Sequence, residues 1–310
     1  MRETAQADKI YSKEDMQKIK YADMHCDTLT ECFDRGYALA DCDLQINLEK
    51  LKESGCAAQC FAIFTQGADA ARRFAEYLNF YKSGLSSCGN ALLTVENLGF
   101  IGEDLSVIPR LAEEGVKMAS LVWNYENALA YPNLIFKDGV PLFCERERRG
   151  LKPLGRRAFE LLDENKIIVD ISHLSDGGAD EILSGRKIPI VASHSNAAEV
   201  CNVSRNLTDA QIKKIADCGG AVGVNFCKDF LGEGDTFSLV LRHILHVIKV
   251  GGEDVVAFGS DFDGIPAPPK LEGCEKMPAL LEYLSDNGVT GAVLDKLCYK
   301  NFMRVLKEVS

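Results

Sequence analysis

The first place in this chain where suitable side chains stand at a chemically useful spacing is His25-Cys26-Asp27. Along an extended strand, residues two apart face the same side, so His25 and Asp27 can grip one cation while Cys26 points away. Imidazole and carboxylate together suit zinc, with manganese, iron or cobalt as substitutes. Four further residues of the same types, Glu96, His173, His194 and Asp261, close apolar runs elsewhere in the chain. Singly, each has an ordinary role: a histidine after a strand is usually hydrogen-bonded structure, and a carboxylate there caps a helix or stays solvated. Jointly they argue otherwise, because three of the five histidines and three carboxylates fall at equivalent places. That pattern predicts a metal site. His243 and His246 lie three apart within a segment of helical period and read as structural.

The elements that must position these groups are legible as an alternation. Eight apolar runs read as strands: 22–25, 57–64, 91–96, 118–123, 167–173, 189–194, 220–226 and 254–261. Most lack a polar face, as strands covered by helices on both sides do. Between them lie helical patterns, among them 155–165, with Phe159, Leu161 and Leu162 inward, and 237–250, with Val240, Leu241, Ile244, Leu245 and Ile248 inward. Thr208-Asp209-Ala210-Gln211 reads as a capping box opening another helix. The expected fold is α/β, a (β/α)8 TIM barrel in a single domain over 21–310, with 1–20 as a helical or extended lead-in. In such barrels the reacting groups sit at the carboxyl ends of strands, where His25, Asp27, Glu96, His173, His194 and Asp261 fall. A doubly wound sheet is the alternative, but no Gly-x-Gly-x-x-Gly follows the first strand and no phosphate-binding Gly-x-x-x-x-Gly-Lys loop occurs.

Composition narrows the function classes. The chain has 310 residues, 46% of them hydrophobic, enough for a sizeable core. A formal net charge of -11 argues against nucleic acid or an anionic membrane as partner. Residues 1–20 lack the apolar run of a signal peptide, and no later stretch reaches the roughly 18 apolar residues of a membrane span, so the expected location is cytoplasmic. The 12 cysteines form no Cys-x-x-Cys pair and read as reduced, small hydrophobes.

Seven segments, taken in order, resemble the renal or membrane dipeptidase family of zinc dipeptidases, whose barrels belong to the wider amidohydrolase group. They are 23–29 (DMHCDTL), 95–97 (VEN), 169–173 (VDISH), 192–196 (ASHSN), 204–209 (SRNLTD), 259–264 (GSDFDG) and 301–305 (NFMRV), and they span most of the chain. The resemblance implies two Zn2+ per chain, one held by His25 and Asp27, the other by His173 and His194, with Glu96 bridging both. No lysine ends the third or fourth run, so the chain itself also favours a glutamate bridge over a modified lysine. Water held between two such cations is acidified enough to attack a peptide carbonyl near neutral pH. By the same resemblance Asp261 shuttles the proton, and Arg205 holds the terminal carboxylate of a dipeptide, a task that suits a bidentate guanidinium.

One position departs from the family pattern. Where the renal enzymes have a substrate-contacting histidine at the end of the fourth strand, this chain has Trp123. Tryptophan keeps an N–H donor but carries neither a proton through the reaction nor a positive charge, which leaves substrate range open. The expected function is a soluble, microbial-type dinuclear zinc dipeptidase acting on small dipeptides, with a homodimer as the default assembly. A second reading keeps the metals but assigns another small amide, ester or lactam. A third, of another class, is a catalytically silent metal-binding barrel, against which the retention of Asp261 beside all five ligands counts. The segment 125–151, with its run Glu145-Arg146-Glu147-Arg148-Arg149, reads as a solvated charged face, or else as a lid or subunit contact.

Overall fold

The computed structural model describes residues 19–40, 42–184 and 188–308. Eight of its strands close a parallel barrel: β1 (Tyr21–Asp23), β2 (Cys56–Phe64), β3 (Ala91–Glu96), β4 (Met118–Ser120), β7 (Ile168–Asp170), β8 (Ile190–Ala192), β9 (Ala221–Val224) and β10 (Val256–Phe258). Around the barrel the order is β1-β2-β3-β4-β7-β8-β9-β10, and β10 pairs back onto β1 through Asp23 and Phe258. The remaining two, β5 (Ile135–Lys137) and β6 (Val140–Leu142), make an antiparallel hairpin inside the 125–151 segment. The expected barrel is therefore present, and all eight runs predicted from sequence supply its strands. The lead-in expected over 1–20 lies, apart from Ile19 and Lys20, outside the described residues.

Most of these strands are shorter than their apolar runs, and the cause is local. At the carboxyl rim side chains take over the backbone ladder. Asp170 Oδ1 accepts from the backbone N–H of both Ser172 and Ser193, each at 2.9 Å. Asp23 Oδ1 accepts from Ser260 N–H at 2.8 Å, and Ser120 Oγ accepts from Asn97 N–H at 3.0 Å. These N–H groups thus keep partners, but the chain is released from strand geometry where the candidate residues stand. Asn97, His173 and Asp261 then take left-handed backbone, with φ of 70, 67 and 65°. Non-glycine residues adopt that region at a cost of order 1–3 kcal/mol each, and such residues concentrate at functional sites.

Burial on both strand faces explains the apolar runs. An inner cluster gathers Ala22, Ala58, Cys60, Met118, Ile168, Val191, Ala221 and Ala257, with half-buried Leu92 from β3, so all eight strands contribute. Phe302, Val305 and Leu306 of the helix Asn301–Glu308 pack into it and close the barrel. The outer faces, including Phe61, Ile63, Leu93, Val95, Val169, Val222 and Val256, meet the surrounding helices.

Two helices illustrate how far the pattern reaches. Asp209–Asp217 opens on the expected capping box, Thr208 and Gln211 each satisfying the other's backbone N–H. Thr236–Gly251 forms where 237–250 predicts it, but its buried face runs through Leu239, Val240, His243, Ile244 and Val247, and Leu245, expected inside, is 45% exposed. His243 turns the helix: its Nδ1 accepts from Ala197 N–H and its Nε2 donates to Leu231 O, both at 3.1 Å. His246 instead faces Asp209 at 2.7 Å, so the two histidines serve separate structural bonds.

Candidate metal centre

His25 and Asp27 meet, though not through regular strand alternation. The β1 ladder ends at Asp23, and Cys26 makes one isolated parallel bridge with Phe262 while its side chain is fully buried in the outer core. From the loop beyond, His25 Nε2 lies 3.5 Å from Asp27 Oδ2. Asp27 is the N-cap residue of the helix Thr28–Arg35, yet its side chain makes no capping hydrogen bond. A carboxylate in that position ordinarily caps. Here its Oδ1 is buried without a partner, as is His25 Nε2.

Glu96 ends β3 and stands between two groups of imidazoles. Its Oε2 is 3.6 Å from His25 Nε2, whereas its Oε1 is 2.9 Å from His173 Nε2 and 3.6 Å from His194 Nε2. The Nε2 atoms of His173 and His194 are 3.0 Å apart. The second ring nitrogens fix the tautomers. His173 Nδ1 is 2.8 Å from Asn124 Oδ1, an acceptor, so Nδ1 carries the proton. Ser193 gives its one hydroxyl proton to Asp170, so at 2.7 Å its oxygen accepts from His194 Nδ1–H. Both imidazoles thereby turn an unprotonated Nε2 toward Glu96, the arrangement in which outer partners prepare histidine to ligate.

Asp261 completes the cluster, with Oδ1 3.8 Å from His25 Nε2 and Oδ2 accepting from Asn225 Nδ2 at 2.9 Å. Gly264 permits this crowding. A Cβ on Gly264 would overlap Asp27 Oδ2 and lie 2.6 Å from Asp261 Oδ1. Among the described residues, ligand atoms of His25, Glu96 and His194, and of His25, Asp27 and Asp261, lie within 4.8 Å of one another.

The electrostatics ask for positive charge. Burial pushes the carboxyls of Glu96 and Asp261 up, Asp261 to about 6, while His25 opposes the shift. Burial also disfavours protonating His25, but Glu96, Asp27 and Asp261 outweigh it and raise its pKa to about 10. His173 and His194 are held well below their ordinary value by burial, with Arg205 and His25 adding to the effect. Three converging carboxylates, neutral imidazoles and orphaned ligand atoms form a donor set that fits divalent cations.

Arg205, a surface charge on the most ordinary reading, is buried. It donates to Ser195 Oγ at 3.3 Å and, through Nη2, to His194 O and His173 Nε2, each at 3.2 Å, while its Nε lacks a partner. Arg205 and Trp123 line the same cavity of about 280 Å³ as Asp27, Glu96, His173 and Asp261. Trp123 packs on Phe64, ring centroids 4.8 Å apart, and on His173 at 6.1 Å. The candidate site residues His25, Asp27, Glu96, His173, His194, Asp261, Arg205 and Trp123 thus converge on one end of the barrel.

Other contributors carried no sequence signal as single polar residues. Asn124, Ser193, Asp170 and Asn225 orient the residues above. In the run 145–149, Glu145, Arg148 and Arg149 are exposed as a solvated face requires, but Arg146 departs from it: it pairs with Asp176 at 3.1 Å and donates to Val203 O and Asn206 O, on either side of Arg205. Asp263 ties three segments together by accepting from Thr28 Oγ1, Gln45 N–H and Ile46 N–H.

Comparison with known proteins adds an independent line. The profile of the membrane dipeptidase family (peptidase family M19) matches residues 88–310. An uncharacterised protein from the pqqA 5′ region of Klebsiella pneumoniae is 40% identical over 166 residues, covering 52% of this chain and 61% of its own length. The crystal structure of dipeptidase AC, a metallopeptidase, superposes with a TM-score of 0.85 at 26% identity, covering 94% of this chain and 99% of that one. A Rhodobacter sphaeroides metallopeptidase, liganded with a phosphinate mimic of the dipeptide L-Ala-D-Ala, gives 0.83 at 25% identity, with 94 and 100% covered. The chain spans 52 to 61% of the length of the curated relatives it matches. Among the described residues no helix is long and apolar enough to cross a membrane.

Proposed function

The chain belongs to the membrane dipeptidase family, peptidase family M19, and from that premise we propose that it is a metal-dependent dipeptidase with two zinc ions in the barrel mouth. The observation that carries the reading is the placement of Glu96, whose two oxygens address different imidazoles, His25 on one side and His173 with His194 on the other. His25 and Asp27 would hold one cation, His173 and His194 the second, and Glu96 both. When bound, the pair would supply Lewis acidity and an acidified water for attack on a peptide carbonyl.

The rest falls to the chain's own side chains. Asp261 Oδ1 faces the centre while Asn225 holds Oδ2, so one oxygen stays free to take a proton and return it to the departing amine. Arg205, buried with an unpartnered Nε, would bind the substrate carboxylate and limit the enzyme to short peptides. The ligand of the Rhodobacter relative, a dipeptide mimic, supports that substrate class.

The test is a hydrolysis panel run with added zinc: L,L- and L,D-dipeptides, the same peptides amidated at the C-terminus, N-acyl amino acids, lactones and lactams. Cleavage of free-acid dipeptides with little cleavage of the amides is expected. Cleavage confined to lactones or lactams would replace the dipeptidase reading with the broader amidohydrolase one.

A further inference from the structure

A second cavity of about 250 Å³ lies beside the first, lined by residues that include Thr65, Gln66, Asn97, Phe100, Trp123 and Asn127. Trp123 lines both cavities and packs on Phe64, which borders the first, and on Tyr125, which borders the second. The indole is therefore the shared wall. Position around the barrel says what would approach it. The second cavity stands over the ends of β2, β3 and β4, while Arg205 follows β8 and Phe230 follows β9. In the ring order these groups are opposite each other, with the carboxylate and imidazole cluster between them.

A dipeptide whose carboxylate is held by Arg205 and whose scissile bond lies over that cluster must send its amino-terminal residue toward Phe64 and Trp123. We propose that Trp123 is the residue that sets amino-terminal side-chain specificity, and that the chamber behind it is an extension of that subsite for longer side chains ending in a hydrogen-bonding group. The inference rests on the dipeptidase reading.

The chamber's polar groups favour such a ligand. Its asparagines are occupied: Asn97 Nδ2 donates to Thr65 O, Asn97 Oδ1 accepts from Gly99 N–H and Asn127 Nδ2, and Asn127 Oδ1 accepts from the N–H groups of Leu129 and Ala130. Thr65 Oγ1 is buried with no partner. A buried hydroxyl without a partner is costly; Thr65 lines the cavity, and once the indole is removed a rotation of its side chain would turn the hydroxyl toward an amide or hydroxyl held there. An apolar chain of equal length would fill the space and leave the hydroxyl unsatisfied.

The experiment compares kcat/KM for Ala-Ala, Gln-Ala, Met-Ala and Ala-Gln in the zinc-loaded wild type, Trp123→Ala, Trp123→Leu and Trp123→Ala/Thr65→Val. Ratios within each protein cancel any general loss of activity. Removing the indole is expected to raise Gln-Ala and Met-Ala relative to Ala-Ala by about tenfold or more, and adding Thr65→Val should then lower Gln-Ala but not Met-Ala. Trp123 is the chain's single tryptophan, so its emission gives a second readout: Gln-Ala should perturb it more than Ala-Gln in the zinc-loaded Asp261→Asn protein. Unchanged ratios in both Trp123 variants, or a gain confined to Ala-Gln, would overturn the inference while leaving the dipeptidase reading standing. Hydrolysis of no dipeptide by the wild type would overturn that reading and this inference with it.

Discussion

Asp261 shows why a side chain's neighbours matter more than its identity. Its carboxyl is raised to about 6 by burial, one oxygen is held by Asn225, and the other looks onto the candidate metal centre. Replacing it with asparagine keeps the shape and removes the proton carrier. Asp261→Asn should therefore retain bound zinc, measured by atomic emission after dialysis, while kcat falls by roughly 10²- to 10⁴-fold. An unchanged rate would remove Asp261 from the reaction. At this scale the sequence was informative where chemistry needs an uncommon type at a strand end, as with His25, His173 and His194. It was silent for Asn124, Ser193 and Asn225, because an amide or hydroxyl in a loop has the same look whether it orients a ligand or solvates a turn.

At the scale of elements, the run 145–149 concealed Arg146, because alternating charges usually mark a solvated face, and Glu145, Arg148 and Arg149 do form one. Arg146 instead reaches between elements, to Asp176 and to the carbonyls flanking Arg205. Arg146→Met should loosen the 203–206 loop and raise KM for dipeptides several-fold with a smaller change in kcat, read by steady-state kinetics. An equal fall in kcat at constant KM would argue against a role in placing Arg205. The helix Thr236–Gly251 gives a second case, since its apolar period alone could not show that His243 lies inward on two backbone hydrogen bonds. Burial lowers His243 to about 4, below the ordinary value of 6.5. A base with a depressed folded pKa takes up its proton more readily in the unfolded chain, so the stability it contributes is present above about 6.5 and lost as pH falls toward 4. The stability advantage of wild type over His243→Gln in urea unfolding should shrink between pH 7 and pH 4.5, by up to roughly 3 kcal/mol. An advantage that stays constant or grows toward acid would contradict a buried neutral His243.

Across the whole molecule, alternating runs were enough to specify a barrel because strands covered on both faces read as continuous apolar segments. Closure could not be read locally; it depends on β10 pairing with β1 across more than two hundred residues. The ends of the strands were the least legible, since Asp23, Asp170 and Ser120 break the ladder with side chains that a propensity pattern does not weigh. That interruption gathers six candidate metal-binding or proton-carrying residues, His25, Asp27, Glu96, His173, His194 and Asp261, at one mouth. The most direct measurement of what they do is a zinc titration of chelator-stripped protein, followed by the rate of Ala-Ala hydrolysis. Activity should be absent at the start and rise to a plateau at two zinc ions per chain; undiminished hydrolysis by the stripped protein, or none after full reloading, would contradict a dinuclear dipeptidase.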